Sequence, residues 1–233
     1  MTRPELQSSN AVPLLGYLVE YSQAFGEQRY NHVFCGSHST PGAFCPNCSK
    51  RLLRLLSVDL TDRRIQTPIT VFSQLSLYYC WTCALSQGEF SYMLIEGGSV
   101  EIVQITSGNS VPGFPYPNYP EAFPVANATL RRLTIHERRA IAEMNSGTFD
   151  EGLTAGKQFP HLVRPRHQVG GEPLLMQGWF DVVCPLCSNR IPLVASIGND
   201  CLDPRGIIGY DYAQILYHFC RSCSVVVANN VCD

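Results

Sequence analysis

Eleven cysteines stand in these 233 residues, and eight of them fall into four Cys-x-x-Cys pairs: Cys45/Cys48, Cys80/Cys83, Cys184/Cys187 and Cys220/Cys223. Two intervening residues let a tight backbone knuckle aim both sulfurs at one ion, while its N–H groups hydrogen-bond to the thiolates. Two knuckles together supply four thiolates, the tetrahedral set that zinc prefers. Such a site has no open position, so it is structural rather than catalytic. Zinc bound this way contributes on the order of 10 kcal/mol to folding. Iron on the same four thiolates is the competing metal, and a single Cys-x-x-Cys would also suit a redox motif. The series of four pairs favours two structural zinc ions.

The pairs recur in order. Between Cys48 and Cys80 lie 31 residues, and between Cys187 and Cys220 lie 32. Phe44-Cys-Pro-Asn-Cys-Ser-Lys-Arg-Leu aligns with Val183-Cys-Pro-Leu-Cys-Ser-Asn-Arg-Ile, and the stretches from Gln74 and Gln214 to the second knuckles also match. Pro46/Pro185, Ser49/Ser188, Arg51/Arg190 and Gln74/Gln214 keep register with the cysteines, and one inserted residue reconciles the halves. This is an internal duplication. Pairing of knuckles within each half is the simpler arrangement; pairing between halves satisfies the same chemistry.

Cys35, Cys201 and Cys232 remain. Cys35-Gly-Ser-His38 has ligand-like spacing, but a buried thiol beside an unrelated loop histidine is the plainer reading. His32, His136, His161, His167 and His218 form no ligand or triad pattern, and His218 is expected to pack beside the last knuckle. Asp59, Asp62, Asp150, Glu151 and Asp211 are scattered and read as solvated or turn residues. There is no nucleophile elbow, zincin motif or Walker loop. We therefore expect no enzyme.

Strands must position the knuckles. Ile69–Tyr79, Tyr92–Ile105, Ile215–Phe219 and Val225–Ala228 are rich in β-branched and aromatic residues. The last two flank Cys220 and Cys223 and read as a hairpin. Thr134-x-x-Glu137 is a capping box that opens one helix, with Leu133, Ala140, Ile141 and Met144 near one face and Gly147 placed to stop it. Five prolines between Val111 and Pro124 forbid regular structure there. The expected fold is α+β, mainly β: an N-terminal zinc-bearing half (1–110), a proline-rich connector and helix (111–165), and a C-terminal zinc-bearing half (166–233).

Hydrophobic residues make up 45% of the chain and charged residues 15%, with a net charge of -2, so a globular core is expected and general attraction to nucleic acid is not. Short basic clusters at Lys50-Arg51 with Arg54, Arg131-Arg132, Arg138-Arg139, and Arg164 with Arg166 keep an RNA-binding zinc ribbon as an alternative. No apolar run spans a bilayer, and the polar stretch from Met1 to Asn10 lacks the pattern of a secretion signal. A cytoplasmic protein is expected.

The order His167-Gln-Val-Gly-Gly-Glu-Pro-Leu-Leu-Met-Gln, then Cys184-Pro-Leu-Cys187, then Leu216-Tyr-His-Phe-Cys-Arg-Ser-Cys223 resembles the YwqG-like family and its relatives, the programmed-cell-death-two and Tsr-type proteins. Gly170, Gly171 and Pro173 match that family's Gly-Gly-x-Pro segment, Gln177 a glutamine often found after it, and the four cysteines its knuckles. The resemblance covers about Arg166 to Cys232. The N-terminal half lacks a Gly-Gly-x-Pro and shares the resemblance only through the repeat. What the resemblance implies is a mainly β, pseudo-duplicated fold that binds another protein, either a toxin, as in bacterial immunity proteins, or a client such as a ribosomal protein. The aromatic residues Phe114, Tyr116, Tyr119 and Phe123 are candidate contacts, with packing inside the protein as the plainer role.

Overall fold

The structure is a computed structural model, and it describes residues 15–22, 29–65, 72–80, 83, 90–105, 120–146, 149–178, 181–199 and 213–232. The elements in chain order are β1 (Tyr17–Ser22), β2 (His32–Phe34), β3 (Leu53–Asp59), β4 (Gln74–Tyr79), β5 (Phe90–Leu94), β6 (Val100–Ile105), β7 (Ala126–Arg132), α1 (Ile135–Ser146), α2 (Phe149–Gln158), a 3₁₀ turn (Pro160–Leu162), β8 (Gln168–Val169), β9 (Leu193–Ile197), β10 (Ala213–Cys220) and β11 (Val225–Cys232). All strands join one sheet in the order β4-β3-β2-β7-β1-β8-β9-β10-β11-β5-β6, and every described pairing is antiparallel. The fold is thus mainly β with two helices.

The expected strands form, with local differences; of Ile69–Tyr79 the strand is Gln74–Tyr79, and residues 69–71 lie outside the described residues. Tyr92–Ile105 is two strands, because Gly97 and Gly98 both adopt positive φ and reverse the chain between β5 and β6. Of the proline-rich segment only Pro120 onward is described. Phe123 is buried in the main core, while Phe114, Tyr116 and Tyr119 lie outside the described residues. In β10 the side chains alternate between two buried faces. Ala213, Ile215, Tyr217 and Phe219 enter the main core, whereas Leu216 and Cys220 join smaller clusters on the other side.

The duplication is written into the ladder. β2 pairs β3 through Val33↔Ser57 and Phe34↔Leu56; β8 pairs β9 through Gln168↔Ser196 and Val169↔Ala195. These are equivalent pairs once the knuckles are aligned. After β2, Cys35 and Gly36 both take positive φ (56° and 86°); after β8, Gly170 and Gly171 do the same (65° and 64°). Cys35 N–H donates to Leu55 O, and Gly170 N–H to Val194 O, again at equivalent positions. Cys35-Gly36 is therefore the N-terminal counterpart of the Gly-Gly step. Gly is needed at the second position in both halves. A Cβ on Gly36 would meet Val125, and one on Gly171 would lie 2.7 Å from Gly16 Cα.

The first strands of the two repeats change places. β1 precedes β2 in sequence but pairs with β8; β7 precedes β8 but pairs with β2. β1 and β7 also pair with each other, from Tyr17↔Arg132 to Ser22↔Asn127, across the approximate two-fold axis. Each repeat is completed by a strand of the other.

The capping box forms as expected. Thr134 N–H donates to Glu137 Oε2 (2.8 Å) and Glu137 N–H to Thr134 Oγ1 (3.2 Å). Arg131 grips the same carboxylate with both terminal nitrogens, and His161 contacts it at 2.9 Å. The Arg131 guanidinium holds Glu137 well below the usual carboxylate range. A lowered folded-state pKa means stabilisation that is present above the unfolded value, about 4.3, and lost as pH falls further. Glu137→Gln should cost about 1–2 kcal/mol at pH 7. Its deficit against the parent should shrink below pH of about 4 in urea titrations. Acid loss of zinc affects both proteins and cancels in the comparison.

Candidate metal centre

Each half brings its own four sulfurs together. Cys45, Cys48, Cys80 and Cys83 form one group and Cys184, Cys187, Cys220 and Cys223 the other, with all sulfurs of a group within 4.8 Å of one another. Pairing is within halves. Cys45 Sγ lies 3.5 Å from Cys83 Sγ and Cys48 Sγ 3.7 Å from Cys80 Sγ; in the second group Cys187 and Cys220 are 3.7 Å apart. Four ligands at zinc–sulfur distance on a tetrahedron have edges of about 3.8 Å. A disulfide would need about 2.05 Å, so these are free cysteines gathered at the spacing of metal ligands rather than cross-linked.

The backbone dictates this placement. In the first knuckle Cys45 N–H donates to Lys50 O and Ser49 N–H to Cys45 O, both at 2.8 Å. In the second, Cys184 and Ser188 make the same bonds at 2.9 Å. Ser49, Ser188 and Ser224, each one residue past a knuckle cysteine, sit at φ of 57°, 58° and 55°. The left-handed residue lets the chain reverse within four residues. Bridges Phe44↔Arg51 and Val183↔Arg190 close the two loops identically. The other ligands come from strand ends: Cys80 follows β4, and Cys220 ends β10 with Cys223 in the β10–β11 turn.

The electrostatics call for a dication. Cys80 and backbone N–H groups of the knuckle stabilise the Cys45 thiolate, which lowers its pKa to about 5, while burial pushes Cys83 up to about 12. In the second group the N–H of Asn189 draws Cys187 down to about 7, and its neighbour Cys187 holds Cys223 up at about 12. Four thiols this close resist collective ionisation, because each thiolate raises the cost of the next. A central divalent ion removes that repulsion and takes all four as thiolates. In each group two cysteines are buried and two half-buried, and four thiolates complete a tetrahedral coordination shell. Two structural zinc ions fit this donor set.

The remaining candidates resolve into structure. Cys35 is buried, and His38 donates to Leu52 O while its other nitrogen accepts from Thr40 N–H, so this pair joins no metal group. Cys201 and Asp211 lie outside the described residues, as does Gly147. Cys232 ends β11. His136 and Asp150 are exposed, and His218 is buried on the β10 face that carries Cys220. Glu151 belongs to α2.

Asp59 and Asp62 are turn residues but not solvated ones. Asp59 accepts from Asn31 and Thr61, and fully buried Asp62 from Arg64 and His32. His32 had a partner that sequence comparison missed. His32 Nδ1 accepts from Asp59 N–H at 3.0 Å, and His167 Nδ1 from Gly198 N–H at 3.2 Å. The two histidines are equivalent and pin the same point of β3 and β9. The sequence signal was His-x-[Phe/Val]-x-Gly, too short to register alone.

Another repeated element diverges. Gln214 is fully buried. Its side chain donates to Leu174 O and Ser196 Oγ (2.7 Å each) and accepts from Met176 N–H (3.1 Å). Gln74 is exposed and only reaches Ser57 at 3.5 Å. Gln214→Ala leaves buried partners unpaired and should cost about 2–4 kcal/mol in denaturant unfolding, against about 0.5 kcal/mol or less for Gln74→Ala.

Fold and site define the class: a pseudo-duplicated, mainly β protein built on two structural tetra-thiolate zinc centres. Compared with known protein families, curated proteins and solved structures, the chain shows no significant match. No helix among the described residues is long and apolar enough to cross a membrane.

Proposed function

We propose that the chain is a cytoplasmic protein-binding module of the YwqG-like kind, and that it acts as an immunity protein that neutralises a toxin. The observation behind this is the apolar surface of the knuckles. Phe44 is 44% exposed, Val183 50% and Leu186 55%. Zinc-clamped loops hold these side chains rigid, and Arg51 stacks on Phe44 at 4.5 Å. Rigid, exposed apolar and aromatic side chains bind protein surfaces with little loss of conformational entropy. The closed thiolate sites favour scaffolding over catalysis. Two of the basic clusters each turn one arginine inward, Arg131 to Glu20 and Glu137 and Arg54 to Cys35 O, which leaves smaller basic patches for RNA.

Affinity capture from native cell extract, with mass spectrometry and elemental analysis, tests the reading. One stoichiometric protein should be captured by the parent and lost by Val183→Asp/Leu186→Asp or Phe44→Asp variants that keep both zinc ions. That protein should be toxic when expressed alone. A ribosomal protein that aggregates alone would favour the client-chaperone role instead. Capture unchanged by the variants, or capture of RNA, would overturn the proposal.

A further inference from the structure

We infer that the two metal centres are coupled, and that the hydroxyls of Tyr92 and Tyr217 carry the coupling. β4 ends the sheet and leads into Cys80, and among the described residues no strand pairs with the outer edge of its backbone. Two tyrosines take that role. Tyr92, on β5, accepts from Tyr78 N–H at 3.0 Å and donates to Ser76 O at 2.8 Å. Tyr217, on β10, donates to Tyr78 O at 3.3 Å. Both side chains are fully buried, and burial holds both hydroxyls protonated.

These bonds join the sites by a short covalent path at each end. Tyr78 is two residues before Cys80, and Tyr217 is three before Cys220. Tyr92 sits on a strand paired with β11, which leaves the Cys220–Cys223 turn directly: Tyr92 opposes Val226 and Met93 opposes Val225. The edge that presents Cys80 to the first ion is therefore held by strands whose position the second ion fixes. The exchange of β1 and β7 locks the halves in the middle of the sheet. If the second site loosens, β10 and β5 withdraw their hydroxyls, and buried N–H and C=O groups on β4 are left without partners.

Zinc transfer from the full-length, two-zinc protein to a chromophoric chelator tests this, with amide exchange as a second readout. Cys187→Ser weakens only the second site, and the zinc remaining in the first should leave about tenfold faster than from the parent. Tyr92→Phe and Tyr217→Phe keep all eight thiolates. Each should speed release from the first site severalfold, and Tyr92→Phe should deprotect the Tyr78 amide. Tyr17→Phe, which loses a hydroxyl bonded to Arg64 O elsewhere, should leave release unchanged. The tyrosine variants decide the matter even if Cys187→Ser fails to fold. Parent-like release from the first site in Tyr92→Phe and Tyr217→Phe overturns the inference, as does parent-like retention in a folded Cys187→Ser protein.

Discussion

Replacing Cys184 by serine is expected to remove the second zinc and, with it, the folded C-terminal half. Cys184 is fully buried at the start of its knuckle, and a serine hydroxyl is a poor zinc ligand beside three thiolates. Little else holds the knuckle itself, although β9, β10 and β11 also send side chains into the main core. The cluster around the second site comprises Val182, Cys184, Ile191, Cys220, Val225 and Val227, so two of its six buried members are themselves ligands. Four aliphatic side chains contribute about 6–12 kcal/mol of burial at most, against the ordering of a whole knuckle and hairpin. The ion's binding energy, on the order of 10 kcal/mol, decides the balance. Elemental analysis should find at most one zinc per chain. Amide exchange should show β9, β10 and β11 unprotected. A soluble Cys184→Ser protein with one zinc and a fully protected β10 would contradict this. Cys45→Ser should also lose its ion, but Cys45 and Cys80 belong to the main core with the large aromatic residues. More apolar structure surrounds that knuckle, so its strands should keep more residual protection.

The residues that bind metal were legible in the sequence because coordination chemistry fixes their type and spacing. The helix start at Thr134 and the β10–β11 hairpin were legible for a similar reason, since local hydrogen bonds require particular side chains. The exchange of first strands was not. Tyr17-Leu-Val-Glu-Tyr-Ser and Ala126-Asn-Ala-Thr-Leu-Arg occupy equivalent places yet share no residue. Their positions are set by backbone ladders, which any sequence of strand character can make. The Cys35-Gly36 step was hidden because the repeat conserves a conformation there, and cysteine occupies a left-handed position that glycine fills in the other half. Asp62 read as solvated because nothing in sequence brings His32 to it across the β2–β3 pairing. Burial of a charged group depends on such long-range partners.

The same dependence makes Gly42 the position where the smallest substitution should do the most damage. Gly42 lies in the loop that leads into the first knuckle, at φ +80°, and a Cβ there would lie 1.8 Å from Val100 O and 3.0 Å from its carbonyl carbon. Neither neighbour can move aside alone. Val100 N–H donates to Pro41 O at 2.9 Å, and Phe44 N–H donates to Gly42 O at 2.8 Å, so the loop is clamped to the start of β6 on one side and to the knuckle on the other. Alanine would have to push β6 away by more than an ångström or drag the knuckle off its ion. Gly97 supplies the control. It also has positive φ (+90°), but nothing lies within 4 Å of its Cβ position. Gly97→Ala therefore pays only the left-handed strain, about 1–2 kcal/mol. Gly42→Ala adds overpacking against backbone and should cost about 3–5 kcal/mol. It should also hasten zinc release from the first site, which Gly97→Ala should not. Denaturant midpoints of the two variants measured side by side give the clash by difference. Equal losses would mean that β6 and the first knuckle do not meet at Val100.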